Sequence, residues 1–282
     1  LVTQSSISST PDPLVLDTLR ALCADQHNSV HIISDCCRKD LEAWFPDMEN
    51  LGLAAEHGYF VRERGSSMWK CTAPQNTEES AWKDLAGPIM DLYSESTDGS
   101  YVERKESALV WHYRDADPDF GHWQAKELLD HLEHTLSNEA VDVVAGPMLV
   151  EVKPSGCSKG QMVEELLTKL TGDGHDDVVD FILCIGNDRS DENMFTAIEN
   201  VHFSPHMPAE VVACTVGQKP SRAPYYLNDT QEVVEILSKL VNVSHGVSNF
   251  TDRTAFAVMQ ADHAMGTAAA PAGIPRGLKR TK

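Results

Sequence analysis

The chain has 282 residues, 41% of them hydrophobic, which is long for one core and suits two modest domains. A formal net charge of −20 excludes nucleic acid and anionic membrane as natural partners, and a phosphorylated substrate would need local lysine or arginine against that field. The seven cysteines are scattered, apart from Cys36-Cys37, without a CxxC pair or zinc spacing. No secretory signal and no apolar run approaching about 18 residues occur, so a reduced, cytosolic protein without a membrane partner is expected. In that setting the sequons at Asn228, Asn242 and Asn249 carry no meaning.

In chain order, Leu1-Val2-Thr3 runs into a polar loop. Thr10-Pro11 reads as an N-cap followed by proline at the first helical position, with Leu14, Val15, Leu19 and Leu22 on one face of a helix to about Ala24. Val30–Ser34 is a short buried strand ending in a hydroxyl, Asp40–Phe45 the next helix, and Leu53–Val61 a strand broken at Gly58. Asn76 and Glu79 fit a capping pair for a helix that sets Trp82, Leu85, Ile89 and Leu92 on one face. Strands are expected at Ser100–Lys105 and Ala108–Arg114, a helix at Pro118–Leu136, and strands at Val141–Ala145 and Leu149–Lys153. Helix-strand-strand repeated twice between two α/β stretches reads as an inserted α+β unit with an antiparallel sheet. Then follow helix Lys159–Leu170, strand Phe181–Ile185, helix Ser190–Ile198, strand Val211–Val216 and helix Asp229–Val241. The expected division is core over 1–76, α+β cap over 77–154, core again over 155–245, and a disordered tail, rich in Ala, Gly, Pro and Ser, over 246–282.

Chemistry collects at strand ends. Phe181–Ile185 is apolar throughout, as in a parallel strand buried on both faces, and Gly186 breaks it. Asn187, Asp188 and Asp191 then gather oxygen donors just past its carboxyl end, with Ser190 as N-cap of the next helix. Ligands of open α/β sheets bind in that crevice, and hard oxygen donors there suit Mg²⁺. Ser34 could bond a phosphoryl oxygen and Lys159 neutralise it, the parts that phosphoryl transfer requires. Each residue alone also fits a bland role, as strand-end cap, helix-start residue or solvated acidic loop; their joint occurrence around an inserted domain is what points to a site. Asp115, Asp117 and Asp119 imitate an EF-hand opening but lack its glycine and terminal glutamate, and read as an acidic helix start. His122, His131 and His134 lack a spacing that completes a metal set.

The run Ile185-Gly186-Asn187-Asp188-Arg189-Ser190-Asp191-Glu192-Asn193-Met194-Phe195 resembles the fourth motif of trehalose-6-phosphate phosphatases of the haloacid dehalogenase superfamily. So do Ala55–Tyr59, Trp111–Arg114, Val150–Pro154 and Ser158-Lys159-Gly160. Cys214–Ser221 with Tyr225-Tyr226-Leu227 looks like the phosphatase part of fused trehalose-phosphate synthase/phosphatase chains. The resemblance spans roughly residues 5 to 242. It implies a Rossmann-like core carrying an α+β cap, and Mg²⁺-dependent hydrolysis of a sugar phosphate through an aspartyl-phosphate. It gives Ser34 and Lys159 the phosphate-handling roles, Asn187, Asp188 and Asp191 the metal, and Glu56, Glu103 and Lys105 the sugar hydroxyls. Three departures follow. The Asp-x-Asp-Gly-Thr motif that supplies the nucleophile is expected just before Leu1 and is absent. Ser34 is followed by Asp35-Cys36 rather than Gly-Arg, and Asn187 stands for the first metal acid. The expectation is a trehalose-6-phosphate phosphatase domain, a fragment inert as given. The alternative is a degenerate domain that binds a sugar phosphate or a trehalose-phosphate synthase partner and regulates it.

Overall fold

The computed structural model describes residues 2–3, 10–72, 81–171, 179–200, 209–247, 254–260, 263–264 and 279–280. The first stretch holds β1 (Val2–Thr3), α1 (Pro13–Ala24), β2 (Asn28–Ile33), α2 (Arg38–Trp44), β3 (Leu51–Ala55), β4 (Phe60–Arg62) and β5 (Trp69–Cys71). Next come α3 (Ala81–Ser96), β6 (Tyr101–Arg104), β7 (Leu109–His112), α4 (Pro118–Thr135), β8 (Val141–Gly146) and β9 (Leu149–Pro154). The last stretch holds α5 (Lys159–Thr171), β10 (Val179–Gly186), α6 (Glu192–Glu199), β11 (Glu210–Val216), β12 (Tyr225–Leu227), α7 (Thr230–Val247), β13 (Thr254–Gln260), β14 (His263–Ala264) and β15 (Lys279–Arg280). The chain forms two compact units, 1–72 with 158–282, and 73–157.

The first unit is built on a nine-stranded sheet in the order β15-β12-β11-β10-β13-β2-β3-β4-β5. Strands β12, β11, β10, β13, β2 and β3 run parallel, so their carboxyl ends share one edge. The apolar run of β10 is buried on both faces: Leu183 and Ile185 join one core with α1, α2 and α7 residues, Ile182 and Cys184 the other with α5 and α6 residues. This two-sided burial is what a near-continuous apolar strand encodes. The second unit is a separate four-stranded antiparallel sheet, β6-β7-β9-β8. Leu109, Trp111, Val150 and Val152 of that sheet pack with Trp82, Ala86 and Met90 of α3 and with Ala125, Leu128 and Leu132 of α4.

Several expectations need correction. Asp12, not Thr10, caps α1, accepting from the Leu14 amide at 2.8 Å with Pro13 next in line. Leu14 is exposed, as are Leu85 and Leu92; α1 buries Val15, Leu19, Leu22 and Cys23, and α3 buries Trp82, Ala86 and Met90 instead. Leu53–Val61 is not one strand but two antiparallel ones, reversed by a turn in which Glu56 and His57 take φ of 48° and 61°. Asp188 rather than Ser190 caps the turn after β10. The tail reading over 246–282 misses β13, which lies between β10 and β2 and pairs with both in parallel. The Asn76/Glu79 pair lies outside the described residues.

In β2 the His31 ring lies over Gly52 and shares a 3.0 Å hydrogen bond with Ser29, while a rim of it meets solvent. Burial, reinforced by the Arg64 and Lys169 cations, pushes its pKa down to about 4. The unfolded imidazole titrates near 6.5. The folded chain therefore refuses a proton that the unfolded chain accepts: stability is intact above about pH 6.5, is lost as pH falls toward about 4, and is level below that. Urea midpoints are expected to report a loss of about 1–3 kcal/mol across this window. His31→Gln should flatten it, and an unchanged slope in that variant would rule out His31 as its source.

Candidate functional site

Four loops leave the shared carboxyl edge of the large sheet: 34–36 after β2, 56–58 after β3, 187–191 after β10, and 217–223 after β11. Ser34 is fully buried; its hydroxyl accepts from the Cys36 amide at 3.1 Å and lies 3.5 Å from Asp35 Oδ1. The His57 amide donates to the Ser34 carbonyl at 2.9 Å and the Glu56 amide to the Cys36 carbonyl at 3.1 Å, joining the first two loops. Glu56 is buried there with a positive φ, which is uncommon for a non-glycine residue.

Lys159 is the first residue of α5, after Ser158, whose Oγ accepts from the Gln161 amide at 3.2 Å. An ammonium there is penalised twice, by burial and by the positive end of the helix dipole. What offsets this is Asp191, whose Oδ1 accepts from Lys159 Nζ at 3.1 Å, both side chains being fully buried. Asp191 Oδ2 accepts from the Asn187 amide at 2.6 Å and the Asp188 amide at 2.8 Å. Burial pushes the Asp191 carboxyl above its ordinary value, against the pull of Lys159 and the Asp188 and Asn187 amides. Two glycines permit this geometry. A Cβ on Gly186 would stand 2.5 Å from Asp191 Cβ, and one on Gly160 2.7 Å from the Asn193 carbonyl oxygen.

Helix α5 packs against both the 56–58 turn and the 189–191 turn, so Ser34, Glu56, Lys159 and the 187–191 loop belong to one edge of one unit. Glu103 and Lys105 lie in the other unit, Glu103 in β6 and Lys105 just after it. Two residues carried no expectation. Lys219 Nζ donates to the Asn187 carbonyl, and Glu192 accepts from Ser221 Oγ and the Arg222 amide, each at 2.7 Å, pinning the 217–223 loop to α6. Both lie in segments that carry the family resemblance, but their partners could not be read locally because they are about 30 residues away in sequence.

As metal donors, the three expected residues are unequal. Asp191 is saturated by one ammonium and two amides, and Asp188 Oδ1 accepts from the Arg189 amide at 2.5 Å. Asn187 offers a neutral carbonyl. Among the described residues no group of three His, Cys, Asp or Glu gathers as a ligand set, and this includes His122, His131 and His134. Mg²⁺ tolerates one or two carboxylates when phosphate oxygens complete its shell, so Asp188 with Asn187 fits it only together with a phosphate.

A family model described as trehalose-phosphatase matches residues 1–231. The chain belongs to the trehalose-phosphatase family. It is 33% identical to a solved C. albicans trehalose-6-phosphate phosphatase C-terminal domain, at a TM-score of 0.73, covering 84% of this chain and 86% of that one. It is 34% identical to an Aspergillus fumigatus trehalose-6-phosphate phosphatase, with a TM-score of 0.63 and coverage of 85% and 87%. Among curated relatives, alpha,alpha-trehalose-phosphate synthase 5 of Arabidopsis thaliana is 47% identical over 257 residues, which is 90% of this chain and 29% of that protein. The chain thus spans less than a third of the length of such relatives. Its fold is the haloacid dehalogenase one of the family, a mixed α/β core with a separate α+β unit. No helix of the described residues is long and apolar enough to cross a membrane.

Proposed function

We propose that residues 1–282 form a trehalose-6-phosphate phosphatase-type domain that binds a sugar phosphate and, without an Asp-x-Asp-Gly-Thr motif, does not hydrolyse it. The observation that carries this reading is the Lys159–Asp191 pair, a buried ammonium at a helix start on the edge where parallel sheets bind ligands. A structural role alone would favour an apolar pair there. In this reading Lys159 neutralises a phosphoryl oxygen and the Ser34 hydroxyl donates to another. Glu56, in the same unit, takes a sugar hydroxyl. Asp188 and Asn187 would hold Mg²⁺, which when bound screens the phosphate charge. The seven cysteines are free thiols, which suits a cytosolic setting. One observation favours a second reading, regulation of a trehalose-phosphate synthase partner: Asn187 is uncharged and Asp191 is fully occupied, so the metal loop serves binding better than turnover.

The test is phosphate release from trehalose 6-phosphate with Mg²⁺ by the purified chain, alongside calorimetry with the same compound. No turnover and measurable binding are expected. Turnover would refute the inert reading, and absence of binding would refute the sugar-phosphate reading.

A further inference from the structure

The two larger sheets each end in two edge strands. An edge is a row of unmet N–H and C=O groups, which natural proteins keep short or guard with charge. In the large sheet the edges are β5, three residues with Lys70 exposed, and β15, which is Lys279-Arg280. In the four-stranded sheet one edge, β6, exposes Glu103 and Arg104. The other, β8, is unlike these. It runs six residues, Val141-Asp142-Val143-Val144-Ala145-Gly146, with three valines and one charge, and among the described residues it pairs with β9 alone. That one carboxylate is turned back toward β9, where Asp142 Oδ1 accepts from Ser155 Oγ at 2.7 Å. Val144 and Ala145 are exposed.

The hydrogen-bond phase of the β8–β9 ladder is fixed from both sides. Just ahead of β8 the Ser155 amide donates to the Ala140 carbonyl at 2.9 Å, and across β9 the Tyr113 amide donates to the Met148 carbonyl at 3.0 Å. Antiparallel ladders alternate hydrogen-bonded and non-hydrogen-bonded pairs. From Ala140/Ser155 onward, Asp142/Lys153, Val144/Glu151 and Gly146/Leu149 are the hydrogen-bonded pairs. The phase of β7 on β9 leaves the same three β9 residues for β8. Pro154, which has no N–H, falls opposite Val141 in a pair that asks none of it. The N–H and C=O groups of Val141, Val143 and Ala145 therefore point outward from the sheet edge.

We propose that β8 is a self-association edge, through which two copies of this chain pair antiparallel and join their four-stranded sheets into one. The outward groups are complementary to their own copy. About a two-fold axis through Val143, each Val143 meets the other, and each Val141 meets the other copy's Ala145. These three pairs exchange two hydrogen bonds each. Asp142 then lies opposite the other copy's Val144. An axis through Asp142 would lose one pair and set two carboxylates face to face, and an axis through Val144 would also lose one pair. Three pairs bury far less than the ~1,600 Å² of a standard stable interface, so the dimer is weak and follows concentration. The charge of −20 on each copy opposes it, and salt should strengthen it by screening.

Sedimentation velocity on the full chain, up to about 0.5 mM and at low and high salt, tests the pairing. A monomer–dimer equilibrium that shifts toward dimer at high salt is expected. Ala145→Pro removes an outward N–H that the β9 ladder does not use, and should weaken the dimer about tenfold. Val144→Lys sets a cation opposite Asp142 on both sides of the axis and should tighten the dimer about fivefold, whereas Val144→Asp should weaken it about fivefold. Leu85→Lys, the same change of charge at an exposed position of α3, should leave it within about twofold. A chain that stays monomeric at every concentration and salt overturns the proposal. So does a dimer that Ala145→Pro leaves as tight as wild type, or one that Val144→Lys and Val144→Asp shift alike. If Ala145→Pro does not fold, the two Val144 variants decide alone.

Discussion

Replacing Lys159 with methionine is expected to cost about 3–5 kcal/mol of stability near neutral pH, because it leaves the fully buried Asp191 carboxylate without its ammonium. The cost should grow with pH, and the sign follows from linkage. Burial already raises the Asp191 pKa, and Lys159 is the largest force opposing that rise. Without Lys159 the folded carboxyl retains its proton to higher pH, whereas the unfolded one still ionises near 4. Stability is then lost as pH rises through that interval, and the deficit is complete above the folded pKa. Thermal midpoints of wild type and Lys159→Met should therefore lie closer together at pH 5 than at pH 8. Lys159→Met combined with Asp191→Asn should regain much of the loss, since the amide still accepts from the Asn187 and Asp188 amides without carrying a buried charge. Equal midpoints for wild type and the single variant at pH 8 would show that the pair does not anchor the loop.

Sequence made the centre of this site legible and left its wiring hidden. Phe181–Ile185 stood out because a strand covered on both faces needs an unbroken apolar run, and its position places the 187–191 loop without further information. That Asp191 serves Lys159 could not be read, because the partners are 32 residues apart and meet only when α5 packs on the 189–191 turn. Helix faces failed for another reason. Along α3 the stripes Trp82/Ala86/Met90 and Leu85/Ile89/Leu92 both have helical spacing, and only the neighbouring sheet decides which is buried. Strand β5 has three residues, too few to show alternation; it is held by pairing with β4. Strand β13, Thr-Ala-Phe-Ala-Val-Met-Gln, is short and alanine-rich between polar, glycine- and proline-rich segments, so composition hid a strand that pairs on both sides.

The slot held by β13 frames the largest expected effect. Its neighbours β2 and β10 end at Ser34 and at the Asn187–Asp188 loop, so residues that follow any parallel strand in that slot emerge between those two groups. A strand carrying Asp-x-Asp-Gly-Thr, added ahead of Leu1, would bring its first aspartate to that place, provided that Thr254–Gln260 gives way. Cutting the chain after Val247, the end of α7, removes the competitor. Loss of a covalent nucleophile in other hydrolases costs about a millionfold in kcat, so restoration from an undetectable baseline should yield trehalose-6-phosphate hydrolysis raised by roughly four to six orders of magnitude. Adding Asn187→Asp should increase the rate further and lower the Mg²⁺ concentration needed for half-maximal rate, since a charged oxygen replaces a neutral one. Phosphate release by the purified variants measures both effects. A restored chain that binds trehalose 6-phosphate in calorimetry but releases no phosphate, even with Asn187→Asp, would mean that the remaining groups serve recognition, and the regulatory reading would replace the catalytic one.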